Sequence, residues 1–429
     1  MSSFIAQFLN GLAAGSTLFL IASGLSLIFG VTRIVNFAHG SLYMLGIYAA
    51  YSAVGLLGGG ASGFWGGIAL AAAAVAAVGC LVEILILRRL YRQPELFQLL
   101  ATFGVALVIR DFCLWRWGPE DLLGPRAPGM RDAVEWFGAV IPRYDLFLIA
   151  VGPAVLGALW LALHRTRWGI LVRAATEDRE MTAALGVNQK WLFTAVFALG
   201  SLLAGLGGAL QLPREPAQLS LDLGAISDAF VVVVIGGLGS LPGAFLAALL
   251  VGEVKALCIA LGTVEVFGAT LSFSKLTLVA EFIVMAVVLV LRPSGLLGSP
   301  QPVRASASIV AEQPLRPASP GLRFAGIVLL AMLIVFPLVA RPYGVVLMND
   351  ILVFALFAAS LHFMMGPGGL ASFGHAAYFG LGAYGAALLF LLSIAGFVHA
   401  FLTPETVPFA AVESAEGATV RPSSKPVTI

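Results

Sequence analysis

Residues 24–51 read GLSLIFGVTRIVNFAHGSLYMLGIYAAY. One apolar run carries to Gly30, a polar, turn-forming interruption follows over Val31-Thr-Arg-Ile-Val-Asn36, and a second apolar run begins behind His39. The pattern recurs further along. With His39 set against His375, an offset of 336, the register holds without a gap from Leu25/Leu361 onward. Gly30 meets Gly366, Phe37 meets Phe373, Leu45 meets Leu381, Gly46 meets Gly382 and Tyr48 meets Tyr384. Here too an interruption, Pro367-Gly-Gly-Leu-Ala-Ser372, separates glycine from histidine. Irregular backbone at membrane depth survives only where protein or a water-filled cavity covers it. Two apolar helices broken at the same place therefore indicate a duplicated scaffold with a translocation pathway at the break.

Composition supports the membrane reading. Of 429 residues, 60% are apolar and 11% charged, against roughly 25% charged in a soluble domain. The 49 glycines suit helices that approach closely in lipid. A net charge of +2 is too small to suggest a nucleic-acid partner. Cys80, Cys113 and Cys258 lie singly in apolar stretches, without metal-ligand spacing or a disulfide pattern. The start lacks the basic region of a signal peptide, so the first run is expected to stay as a helix.

Apolar stretches fall near 4–30, 41–58, 63–87, 96–115, 144–163, 191–211, 226–238, 243–262 and 276–291, then near 323–340, 346–366 and 371–400. Crossing the hydrocarbon core takes about 20 helical residues. The stretch 226–238 is too short for that, and with 243–262 it reads as a broken pair that enters and leaves the membrane. The fold class is all-α, a polytopic transmembrane bundle with broken or re-entrant segments. Arg88, Arg89 and Arg92, then Arg165, Arg167, Arg173, Arg179 and Lys190, then Arg292, Arg304, Arg316 and Arg323 mark three cytoplasmic segments. Segment 116–143 balances its arginines with acids and reads as external. The N-terminus is then outside.

Four regions are expected: a transmembrane domain over 1–295, a Pro/Ser/Ala-rich cytoplasmic linker over 296–320, a partial second transmembrane segment over 321–400, and a tail over 401–429. The tail is rich in Pro, Glu and Ser and is expected to be disordered. The second block stops after about three spans.

Segment 164–190 is the longest cytoplasmic loop. Within it, Arg173 to Gly186 reads as one short amphipathic helix, with Ala174, Met181, Ala184 and Leu185 on one face and Glu177, Asp178 and Glu180 toward the other. Gly186 supplies the stop. Such a helix suits a groove on a partner protein, or else lies solvated at the membrane surface.

The runs quoted above carry a family resemblance. Residues 24–51 resemble the N-terminal signature of the first, H-type permease of branched-chain amino acid ABC transporters. MGPGGLASFGHAAYFGLGAYGAAL (365–388) resembles the corresponding signature of its M-type heterodimer partner, and VIGGLGSLPGAFLAALL (234–250) the glycine-rich segment of the family. The H-type resemblance covers about 1–295 and the M-type about 321–390. It implies a permease pair in the bacterial inner membrane, two cytoplasmic ABC ATPase subunits and a periplasmic solute-binding protein. It also makes 173–186 the coupling helix that docks on an ATPase.

Candidate pathway residues follow from position. His39 and His375 flank the breaks, where each either hydrogen-bonds a polar solute or ties down a carbonyl, and Asn36 and Ser372 could act likewise. Glu253, Lys255 and Glu281 lie deep in spans, where a charge costs about 2.5–3.5 kcal/mol and usually faces a partner or a cavity. Glu83 and Asp111, nearer helix ends, need only pair with neighbouring bases. Gly236, Gly237 and Gly239, with Pro242 and Gly243, permit the broken crossing. No Gly-Lys-Ser/Thr motif follows them, so ATP belongs to partner subunits and no cofactor is expected on this chain. A Ser/His/Asp set and a zinc motif are likewise not seen. An ion-coupled secondary transporter is the alternative, and it would need no docking helix.

Overall fold

The computed structural model describes residues 2–33, 35–58, 60–91, 93, 95–136, 138–266, 269–298, 319–366 and 374–402. The chain divides into two compact units, Met1–Ala305 and Ser306–Ile429. Eleven described helices are long and apolar enough to cross a membrane, eight in the first unit and three in the second.

The first unit opens with α1 (Ser2–Thr32) and α2 (Ala38–Leu57), separated by the expected break. Next come α3 (Ala61–Val82), a π turn (Glu83–Leu87), α4 (Arg88–Leu90) and α5 (Glu95–Trp117). Segment 118–142 holds an antiparallel hairpin, β1 (Ala133–Trp136) with β2 (Ala139–Pro142), which hydropathy did not signal. Then follow α6 (Arg143–Arg165), α7 (Arg167–Glu177), α8 (Arg179–Ala184), α9 (Gln189–Gln211), α10 (Leu221–Gly236) and α11 (Leu241–Leu261). A second hairpin, β3 (Thr263–Val266) with β4 (Ala269–Ser272), leads through a 3-10 turn (Phe273–Leu276) to α12 (Thr277–Leu291).

Helix α1 is the centre of the unit, with α6, α9, α10 and α11 packed around it. Phe19, Leu20 and Ile21 of α1, Leu42, Met44, Ile47 and Tyr48 of α2, Ala204 and Ala209 of α9, and Val231 to Val233 of α10 share one buried cluster. Lipid offers no hydrophobic drive between helices, so close approach of small residues has to supply the packing. Where α2 crosses α9, a Cβ added to Gly46 would stand 2.8 Å from the Gly205 Cα.

Helix starts are capped by the residue types that do this in water. Thr166 accepts from the Gly169 amide, Asn188 from that of Trp191, and Ser240 from that of Gly243. Helix α10 starts at Leu221, five residues before the apolar run that announced it, because Asp222 interrupts the hydropathy there. Its 16 residues give about 24 Å of length, still short of the ~30 Å hydrocarbon core.

The second unit holds α13 (Pro320–Val339), α14 (Pro342–Met365) and α15 (His375–Leu402). Its break over 367–373, with Ser372, most of the linker and nearly all of the tail fall outside the described residues, as do Arg92, Arg304 and Arg316.

Candidate functional site

The break after α1 is built by three satisfied amides and one left-handed residue. Arg33 sits at φ 59, the one non-glycine residue with positive φ among those described. Its amide still donates to the Phe29 carbonyl at 2.8 Å. Asn36 Oδ1 accepts from the Ala38 amide at 3.1 Å at the entry to α2, while Thr102 Oγ1 of α5 accepts from the Phe37 amide at 3.3 Å. These contacts supply partners for amides that a helix start otherwise leaves open.

His39, fully buried, donates through Nε2 to the Ile21 carbonyl at 2.9 Å. That carbonyl lies inside α1, not at the break. The bond assigns the proton to Nε2 and leaves Nδ1 as an acceptor. Among the described residues, His39 Nδ1 and Asn36 Nδ2 are buried without a hydrogen-bond partner. Both atoms are enclosed beside the break.

Helix α10 runs alongside. The Asp222 carbonyl packs on Gly40 at the start of α2, and Gly239 meets Gly30 near the end of α1, where an added Cβ would stand 3.4 Å from the Gly30 Cα. Both ends of α10 therefore flank the same break. Its C-terminal carbonyls are taken up by the segment after α12: the Leu296 amide donates to Ile235 at 2.8 Å, and the Leu297 amide to Gly236 at 3.1 Å. Gly237, at φ 99, fits against this segment, and a Cβ there would fall 2.5 Å from the Gly298 Cα. Gly236, Gly237 and Gly239 thus form the turn, with Pro242 in the first turn of α11.

Two of the three deep charges, Lys255 and Glu281, prove to be paired. Lys255 Nζ lies 2.6 Å from Asp228 Oδ2 of α10 and 2.8 Å from Glu281 Oε2 of α12. Glu281 is fully buried, and the three charges tie α10, α11 and α12 together. Asp228 was not singled out from sequence, although an acid inside the run 226–238 was its signal. Glu253 stands apart. It lines an apolar cavity of about 220 Å³ with Phe4, Gln7 and Phe8, and its Oε1 has no partner among the described residues. Glu83 does more than pair at a helix end. It is fully buried in the π turn, with Arg88 Nη2 at 2.9 Å and Thr194 Oγ1 of α9 donating at 2.6 Å.

The segment expected as one helix over 173–186 is two. α7 ends at Glu177, and Asp178, at φ −141 and ψ 104, restarts the chain as the cap of α8 by accepting from the Met181 amide at 2.9 Å. An aspartate that caps so well competes with its own place inside a helix. Val172 and Ala175 bury the inner face of α7 in a cluster with Leu27 and Val31 of α1 and Leu192 and Phe193 of α9. Arg173, Ala174, Glu177, Asp178 and Ala184 are exposed, as are Met181 at 59% and Leu185 at 77%. Gly186 follows at φ 84.

In the second unit His375 Nε2 lies 2.7 Å from Ser360 Oγ, with its ring 5.2 Å from that of Phe357. Among the described residues no group of three His, Cys, Asp or Glu is placed to hold a metal ion.

Comparison with known proteins gives a consistent result. The sequence pattern of the family described as "Branched-chain amino acid transport system / permease component" matches residues 7–292, two thirds of the chain and wholly within the first unit. The high-affinity branched-chain amino acid transport system permease protein BraD of Pseudomonas aeruginosa is 31% identical, over 70% of this chain and 97% of its own. LivH of Escherichia coli K12, named for the same transport system, is 30% identical over 70% and 96%. The ribose import permease protein RbsC of Escherichia coli K12 is 26% identical over 56% and 71%. Among solved structures, PsaBC from Streptococcus pneumoniae in complex with Fab aligns with a TM-score of 0.36 at 10% identity, over 65% of this chain and 90% of that one.

Proposed function

This chain belongs to the branched-chain amino acid transport permease family, and we propose that its first unit passes branched-chain amino acids across the bacterial inner membrane at the break between α1 and α2. It is a multi-pass permease subunit of an ABC importer. The observation that carries the substrate reading is the match to BraD and LivH over nearly their whole length. In this reading Asn36 Nδ2 and His39 Nδ1 meet the polar ends of the solute.

Energy comes from separate ABC ATPase subunits that bind the ATP, and α7 and α8 are where one docks. Exposed Met181 and Leu185 beside a sharp turn at Gly186 support that docking surface. An M-type or other second permease subunit completes the channel, and a periplasmic solute-binding protein delivers the solute. The second unit, outside the family match, carries no role in this reading.

The test is uptake of labelled leucine into proteoliposomes. ATP-dependent uptake is expected when the ATPase subunits, the second permease and the binding protein are all present. ATP-dependent uptake by this chain alone, or uptake driven by an ion gradient without ATP, would overturn the reading.

A further inference from the structure

We propose that Arg33 is the positioning residue that links the docking helices to the break, so that displacement of α7 by a bound ATPase moves Arg33 at the end of α1. The proposal rests on the docking reading above. Arg33 Nη2 donates to the Thr176 carbonyl at 3.2 Å, across 143 residues of sequence. Thr176 lies in the last turn of α7, where the helix offers its own carbonyls no amide partner. A guanidinium there also meets the negative end of the helix dipole. The bond therefore joins a group that needs a donor to the first residue of the break.

The backbone at Arg33 adds a second observation. A left-handed φ of 59 is disfavoured for any residue with a Cβ. Glycine would hold it without strain, so the side chain at this position is kept at a cost in backbone energy. Arg33 also stands where several elements meet. Gly30, one turn before it, touches Gly239 of the α10–α11 turn. Asn36, three residues after it, accepts from the Ala38 amide at the entry to α2. The inner face of α7 packs through Val172 and Ala175 on Leu27 and Val31 of α1. That packing holds the inner face of α7 on α1, and in the same C-terminal turn as Ala175 the Thr176 carbonyl is joined to the break by Arg33.

Uptake of labelled leucine and release of phosphate are to be measured in the same proteoliposomes, holding the complete complex with its ATPase subunits. Arg33→Gly removes the guanidinium while favouring the observed backbone, so misfolding is not its expected result. The complex should assemble and hydrolyse ATP at close to the wild-type rate, while leucine moved per ATP falls by about tenfold or more. Arg33→Lys keeps one charged donor and should restore most of that ratio. A wild-type ratio in Arg33→Gly would overturn the proposal, as would loss of the ATPase subunits from its complex, which would make Arg33 part of the docking surface. If the wild-type complex itself shows no ATP-dependent uptake, the docking reading fails first, whatever Arg33 does.

Discussion

His39 reaches back across the break to the Ile21 carbonyl, 2.9 Å from its Nε2, and His375 reaches back in the same sense to Ser360, at 2.7 Å. At the offset of 336 that aligns the two histidines, Ile21 corresponds to Phe357 and Gly24 to Ser360. The His39 ring indeed lies over Gly24, 3.0 Å from where a Cβ would stand. The repeat is thus one of geometry as well as sequence. Its two copies differ in surroundings: His39 is fully buried, while Ser360 and most of the large apolar residues described in α14 and α15 are exposed.

The two histidines should therefore differ in weight. His39→Ala empties a filled site and costs about 2–4 kcal/mol, seen as a lower unfolding midpoint in detergent. His375→Ala, partly exposed, should cost less than about 1 kcal/mol. Equal costs would mean that His39 is not packed as described.

Glu83 and Arg88 make an asymmetric pair, the carboxylate fully enclosed and the guanidinium 29% exposed. Removing the base strands a charge inside the protein. Arg88→Ala should cost about 3–5 kcal/mol, and Glu83→Gln markedly less, because Arg88 can turn to water. The double variant should recover part of the Arg88→Ala loss. Thermal unfolding of the four proteins decides, and a loss in the double variant equal to the sum of the singles would show no coupling.

Lys255 stands between two carboxylates, at 2.6 Å and 2.8 Å. Lys255→Met leaves Asp228 facing Glu281 with no cation and should reduce membrane-inserted yield more than Asp228→Asn or Glu281→Gln does. The triple change Asp228→Asn, Lys255→Met, Glu281→Gln should insert better than Lys255→Met alone, since buried ions cost more unpaired than absent. Quantitative blotting of membrane fractions measures this ranking.

Much of this arrangement was legible in the sequence, for reasons that particular residues show. Long apolar runs announce α1, α2 and α9 because lipid permits little else. The break after Gly30 announced itself through Thr32, Arg33 and Asn36. By contrast, the short α10 was hidden at its start by Asp222, and the restart at Asp178 by the good helix formers on either side. Partners distant in sequence, such as Thr194 for Glu83 or Thr176 for Arg33, leave no local signal, because only the packing of α3 on α9 and of α7 on α1 creates them.

The exposed end of α8 gives the most direct functional test. Gly186 holds φ 84 with open space around the position of a Cβ, so a side chain there meets backbone strain and no clash. Gly186→Val should cost about 1 kcal/mol and shift the turn that sends the chain from α8 toward α9. Ala184 is exposed within α8, so Ala184→Glu should fold normally and place a charge beside Met181 and Leu185. If these residues meet an ATPase, both variants reach the membrane at wild-type levels, lose the ATPase on co-purification, and lose leucine uptake with it. A helix that merely lies solvated would tolerate both changes within about 0.5 kcal/mol and keep its partner. Wild-type amounts of ATPase retained by both variants, beside an equal-expression control, would remove α7 and α8 from the docking surface.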